Sequence, residues 1–527
     1  MKIIYVFIYL MLSLSISLEG ENTCNLVYPG VDGKLVYIAD YRGNTIIDFS
    51  RAGYMGGGVS LPEVSINEIL YPIENQEDDT DRIQEAIDKV SCMTPVDGFR
   101  GAILLKRGVY RVAKSLKITA SGIVLRGEGQ DSDDTVLLAT GKERRTLINI
   151  GGELKITEAE GSRRRIADSY VPWGTLTFSL ESTEGFSVGD QIIIYRPSTT
   201  EWIHEIKMDR IKPRKGTKQW QPGSKDLKYE RIITSIDGNT ITLDAPVINA
   251  MEDKYGGGHV VRYQEEGRIN QSGVENLRLI STYEKGKEDE DEDHAWTGID
   301  LDNAANSWVR NVTIVHFARG IDIHENAIFI TIQDCAVIKP VSGIRGRRRY
   351  PFPVKGQYCL VQRCYSSHAR HAAATGSTTC GPNVFLDCLA EDTYNDTGPH
   401  QRWAAGILWD NLKGGGFNVQ DRGNWGTGQG WAGAQQVFWN CETSSICIQK
   451  PPTAQNYAIG CTGEKSQGRF KDRQPGHYES HGTHVVPRSL FLKQLEDRLG
   501  TQAVENVTIE EQRNGTIFHL LKRRLYQ

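Results

Sequence analysis

Val274-Glu-Asn-Leu277, Val309-Arg-Asn-Val312, Ile332-Gln-Asp-Cys335, Val361-Gln-Arg-Cys364, Phe385-Leu-Asp-Cys388, Phe438-Trp-Asn-Cys441 and Ala458-Ile-Gly-Cys461 align on one pattern. Each is a short β-type run ending in a turn-prone or polar residue, followed by a small or apolar one. A second series interleaves with it: Gly298-Ile-Asp-Leu301, Gly320-Ile-Asp-Ile323, Gly343-Ile-Arg-Gly346, His371-Ala-Ala-Ala374 and Gly406-Ile-Leu-Trp409. Two columns of short strands repeating at about two dozen residues match a β-solenoid. Helical repeats would space apolar residues by three and four, and these do not. The residue before the final slot (Asn276, Asn311, Asp334, Asp387, Asn440) suits a tight turn whose amides stack rung on rung. Cysteines fill the slot in five rungs, so of the ten in the chain we expect stacked buried thiols there rather than bridges. Cys24–Cys92, or a pair involving Cys380 or Cys447, stays open as an alternative.

Upstream, Asp78-Asp-Thr-Asp81 predicts the cap of an amphipathic helix over 82–90, with Ile83, Ala86, Ile87 and Val90 on one face. Glycine-punctuated strands follow at Gly101, Gly108, Leu116 and Gly122, and the helix would cover the open end of the stack. Residues 150–268 break the period and predict a β-rich insertion, with antiparallel strands over 175–180, 191–195, 231–236 and 240–243. The acidic run 284–293 reads as a solvated loop, and a helix over 490–499 should end at Gly500. The expected division is therefore a signal peptide (1–20), an N-terminal segment with capping helix and first rungs (21–149), the insertion (150–268), the main rungs (269–486) and a helical tail (487–527).

Lys2 and the apolar run Ile3–Leu18 form that export signal, too short for a comfortable membrane span. With no second long apolar run, we expect a secreted, periplasmic or cell-surface protein without stable membrane insertion, and a monomer. The 527 residues carry 61 basic and 66 acidic side chains for a net charge of −5, which excludes a general nucleic-acid binder.

The opening Asp78-Asp-Thr-Asp-Arg-Ile-Gln-Glu-Ala-Ile-Asp88, then Gly101-Ala-Ile-Leu-Leu-Lys-Arg-Gly-Val-Tyr-Arg-Val112 and Leu125-Arg-Gly-Glu-Gly129, resembles the pectate-lyase superfamily. The stretch from Gly273 to Gly463 resembles a group of exported bacterial members of it. Its marks are Arg370-His371, Gly381-Pro-Asn-Val-Phe-Leu-Asp-Cys388, Gly398-Pro-His-Gln-Arg-Trp403, Gly426-Thr-Gly-Gln-Gly-Trp-Ala-Gly433 and Gln449-Lys-Pro-Pro-Thr-Ala-Gln-Asn456. The resemblance implies an all-β, right-handed single-stranded parallel β-helix and leaves the activity open, since lyases, hydrolases, epimerases and viral tailspikes share that fold. The calcium-carboxylate signature of pectate lyases is not found at matching positions.

Aligned residues on successive rungs form columns about 4.8 Å apart. In the glycine-led series the third residues are Asp300, Asp322, Arg345, Ala373 and Leu408, and the fifth are Asp302, His324, Arg347, Thr375 and Asp410. Their polarity predicts an outward groove for a short run of sugars. The long excursion between Cys388 and Cys441 adds Asp392, Tyr394, Asp396, His400, Arg402, Trp403, Asp421, Arg422 and Trp425, with His368 and Arg370 entering before His371. An acidic polysaccharide is the expected partner. Eliminative cleavage of a uronic-acid polymer needs cations on the sugar carboxylate and a base for the adjacent proton. We assign Arg345, Arg370 and Arg402 to the clamp, His371 or His400 to the base, Tyr394 to the acid, and Trp403, Trp409 and Trp425 to sugar stacking, with Trp409 also readable as packing. Arg347, His324 and His368 would line the groove. A glycoside hydrolase using Asp392, Asp396 and Asp410, or a non-catalytic polysaccharide binder, are the competing readings. No cofactor is required by the sequence; calcium at Asp300, Asp302 and Asp322 is the one ion considered.

Overall fold

The first series of repeats lies in parallel register one residue per rung: Val274, Val309, Ile332, Val361, Phe385, Trp409, Phe438 and Ala458 are successive partners. This is a computed structural model, in which residues 22–523 are described; the export signal expected over 1–20 lies outside the described residues. The chain is an all-β, right-handed parallel β-helix of three sheets. Phe385, Trp409 and Phe438 stack inside it at centroid distances of 4.6 and 5.6 Å.

Between first and second sheets the backbone turns through a left-handed residue on each rung, with φ of 56° at Asn276, 51° at Asn311, 56° at Asp334, 51° at Asp387 and 49° at Asn440. Asn and Asp tolerate that conformation best among side-chain-bearing residues, which explains the column. Asn311 Nδ2 donates to Asn276 Oδ1 at 3.0 Å. Arg363, the residue out of pattern, is held by two hydrogen bonds to the Asp334 carboxylate, at 3.0 and 2.8 Å. All ten cysteines are free thiols, and those at 335, 364, 388, 441 and 461 are buried in the core.

The third sheet runs Leu116–Ile118, Thr146–Ile150, Thr297–Leu301, Arg319–Ile323, Phe352–Val354, Ala373–Thr375 and Gly398–Pro399. At two places the rungs depart from the order expected from the sequence. Gly343-Ile-Arg is a loop, because the rung after Arg319–Ile323 is Phe352–Val354. Gly406-Ile-Leu-Trp belongs to the first sheet, within Ala404–Asp410, which pairs with Cys380–Leu386.

Three pieces cover the outside of the first sheet and build a second apolar core there. One comprises antiparallel strands between 155 and 266, with Gln191–Arg196 flanked by Leu227–Asp237 and His259–Glu266. Arg231 docks it by donating to Gly381 O (3.1 Å) and Tyr358 Oη (3.0 Å). The second is the N-terminal segment. The third is the helix Leu490–Leu499, whose Ser489 accepts from Leu492 N. Further helices carry the tail back over the second sheet, where Ile517 and Leu521 pack on Val315, Ala336 and Tyr365. At the N-terminal end, the helix Thr80–Ser91 buries Ile83, Ala86, Ile87 and Val90 across the opening rungs. The outer face of the third sheet keeps the polar side chains described next.

Candidate functional site

Alternation in the third sheet sends Ile299, Leu301, Ile321, Ile323, Phe352 and Val354 into the core, so their neighbours face outward. One outward row follows the register Asn149, Asp300, Asp322, and continues through Pro353, Ala374 and Gly398. The next holds Asp302, His324, Lys355, Gly376 and His400, whose amides donate in turn to Ile150, Leu301, Ile323, Val354 and Thr375. From Asp300 to His400 is four rungs, roughly 19 Å of groove floor.

At the far end His371 and His400 lie with ring centroids 4.6 Å apart, and Tyr350 is 5.0 and 5.7 Å from them. His371 is 2% exposed, and its Nδ1 is 2.6 Å from the carbonyl oxygen of Asp396. A carbonyl only accepts, so Nδ1 carries the proton and Nε2 holds a lone pair. That Nε2 is buried without a hydrogen-bond partner. His400 has the reverse arrangement: Nε2 faces the Gln429 amide nitrogen at 3.1 Å and Tyr350 Oη at 3.3 Å, which leaves Nδ1 as the unpartnered N–H. Burial, then the Arg422 and Arg370 charges, hold His371 well below the usual imidazole range. Burial, with the Arg422 charge beside it, pushes His400 down to about 2. Both rings are therefore neutral at neutral pH. Arg370 Nη1 donates to Tyr350 Oη at 3.2 Å, and Arg422 pairs with Asp396.

Of the residues read from sequence, His371, His400, Arg370 and Asp396 come together here. Trp425, 39% exposed, flanks them with Arg422 and Arg469 against its ring. Arg402 stands to one side, bonded to Gln401 and, at 2.6 Å, to Thr427. Tyr394 stacks under Arg349, and Asp392 and His368 occupy left-handed turn positions leading into the third sheet. Arg345 and Arg347 leave the floor, because the rung shift places them in an exposed loop. Neighbouring Arg348 and Arg349 in that loop pair with Glu292 and Asp289, so the acidic run is a counter-charge to it rather than simply solvated. Trp403 and Asp410 leave the groove altogether. Trp403 is fully buried with its ring edge-on to Trp202 at 4.8 Å. Asp410 accepts from Ser489 Oγ (2.7 Å) and Phe491 N (2.9 Å) beneath the tail helix. Trp409 is core, as its stacking shows.

Tyr350, Arg319, Lys355 and Gln429 were missed. Tyr350-Pro-Phe-Pro-Val354 carries the alternation of a rung, but anchoring the repeat on glycine hid it. The insertion also contributes: Arg214 Nη2 donates to Gly426 O at 3.0 Å, and Lys218 N to Thr427 O at 3.0 Å. Burial and the Arg402 charge push the Lys225 ammonium down, and Arg214 repels Arg469. These cations crowd one end of the groove, which suits an anionic ligand.

No protein-family model matches the chain, and no curated protein matches it. Among solved structures it is similar to the tailspike protein gp49 of Pseudomonas phage LKA1 (14% identity, 72% of this chain and 56% of that one, TM-score 0.41). It is also similar to the tailspike of E. coli bacteriophage HK620 in complex with a pentasaccharide (10%, 84% and 61%, 0.41). A third is the Gp54 tailspike of Acinetobacter baumannii bacteriophage AP22 in complex with a capsular saccharide (11%, 75% and 62%, 0.37). The chain thus spans less than two thirds of each of these proteins.

Proposed function

We propose that this protein is a carbohydrate-active enzyme, acting outside the cytoplasm as a monomer, that cleaves a uronic-acid-containing polysaccharide by β-elimination in the third-sheet groove. The observation that carries this reading is the lone pair of His371 Nε2, buried, unpartnered and fixed in tautomer by the Asp396 carbonyl. Arg370 and Arg422 would face the sugar carboxylate and make the adjacent carbon acidic. His371 Nε2 takes that carbon's proton, the electron pair forms the new C=C bond, and the glycosidic C–O bond breaks. The His400 Nδ1–H or the Tyr350 hydroxyl protonates the departing oxygen. An imidazole held so far down is a weak base in the free protein. A bound uronate offsets the two arginines and raises its basicity when the proton must move. Trp425 offers an apolar ring face to a neighbouring sugar.

Hydrolysis is the second reading, and Asp300 and Asp322 favour it more than Asp392, Asp396 and Asp410 do. They stand on adjacent rungs, close to the ~5–5.5 Å separation of a retaining carboxylate pair. Offering the protein a panel of uronic-acid polysaccharides, with ultraviolet absorbance and reducing ends followed together, separates the two. Elimination gives both signals with one polymer. New reducing ends without absorbance would overturn elimination in favour of hydrolysis, and silence from both across the panel would leave a polysaccharide-binding solenoid.

A further inference from the structure

The elimination gives no part to Asp300, Asp322 and His324, although they occupy the floor of the same groove. Each carboxylate has one oxygen tied down: Asp300 Oδ2 accepts from Thr146 Oγ1, and Asp322 Oδ2 from Arg319 Nε, both at 2.6 Å. Asp322 Oδ1 is buried with no hydrogen-bond partner, and Asp300 Oδ1, also buried, has only the His324 imidazole near it. Asp322 is 6% exposed, so its free oxygen is desolvated, and a buried carboxylate oxygen left unmatched is costly. His324 Nε2 is 3.4 Å from Asp300 Oδ1. One donor atom from each of the three side chains lies within 4.8 Å of the other two.

We propose that Asp300, Asp322 and His324 bind one divalent first-row transition ion, zinc foremost, whose remaining coordination positions open onto the groove. Donors around such an ion at about 2.0–2.2 Å stand roughly 3–4 Å from one another, which these side chains reach with small rotations. One imidazole with two carboxylates matches zinc or manganese better than calcium, which takes six to eight oxygen ligands. Thr146 and Arg319 orient the two carboxylates from behind, as outer hydrogen bonds commonly do at metal sites. Lys355 follows His324 in the same outward row, so an ion here would have a cation one rung away. The ion's open positions would take a carboxylate or hydroxyl of a sugar bound further along the groove from the histidine pair.

Calorimetric titration of the chelator-treated full chain with zinc, manganese and calcium chlorides, in the absence of polysaccharide, tests the site. One equivalent of zinc or manganese should bind, calcium should bind at least tenfold more weakly, and His324→Ala should raise the zinc Kd at least tenfold. Asp322→Asn should do the same; His324 is partly exposed, so its variant keeps the test available if the aspartate variant does not fold. Absence of binding by zinc and manganese, zinc binding undiminished in His324→Ala, or calcium binding the tightest would each overturn the proposal. The readout involves no cleavage, so its failure and the failure of the elimination reading are distinguishable.

Discussion

The outer faces of the first and third sheets are built from the same kinds of side chain and use them in opposite ways. On the first, Asp410, Trp403 and Trp439 lie beneath the insertion and the tail helix, and their polar atoms are matched: Asp410 by Ser489 and Phe491, Trp403 by Asn249, Trp439 by the Pro487 carbonyl. On the third, His371 Nε2, His400 Nδ1 and Asp322 Oδ1 are buried and unmatched. Unmatched buried polar atoms are costly, and a ligand that supplies their partners recovers that cost. Gln435 Nε2 is also unmatched on the first face, but the third gathers such atoms along one groove, and we read the third as the ligand face and the first as structural. An aspartate or tryptophan on a rung carries no functional meaning until its partners are known.

The comparison breaks first at Trp403. If that face is structural, Trp403→Ala should lower the unfolding free energy by about 4 kcal/mol in denaturant melts, while turnover per folded molecule is unchanged. Asp410 sharpens the contrast through pH. Burial raises its carboxyl to about 7 in the folded chain, whereas an unfolded aspartate titrates near 4. Folding therefore takes up a proton between those values, so this contribution is fully present below about pH 4 and is lost as the pH rises to about 7. Wild-type stability should fall by about 3 kcal/mol across that window relative to Asp410→Asn, measured by urea unfolding at each pH. Parallel slopes for the two proteins would remove Asp410 from the account.

On the groove side, Arg370→Gln should reduce kcat/KM about 100-fold on the cleaved polymer with an unchanged melting temperature, by loss of charge opposite the uronate. A melting temperature that drops while kcat/KM holds would make Arg370 a strut for Tyr350. The smallest effect is expected at Trp425, where Ala should weaken polymer binding by about 1 kcal/mol in affinity electrophoresis and leave stability alone.

The core of this fold was legible because its signal recurs: a β-branched or aromatic residue, two positions later Asn or Asp, then a small or apolar residue, an order that suits a left-handed turn repeated rung on rung. Helix 490–499 and its Gly500 boundary were legible for the same local reason. The third sheet was half legible. Asp300 and Asp322 were placed correctly on adjacent rungs, but a loop length that varies from rung to rung broke the alignment at Gly343. The error put Arg345 and Arg347 on the floor and hid Tyr350. His371, His400 and Arg370 stood out by residue type. Their tautomers and missing partners, which set them apart from Asp410, exist only in three dimensions.

The central claim rests on His371, and the most direct measurement is the initial rate of ultraviolet-absorbing product from wild type and His371→Ala on the polymer that the panel selects. The account predicts a fall of about 10³-fold or more with the melting temperature preserved. A His371→Ala protein that makes unsaturated product at the wild-type rate would contradict it.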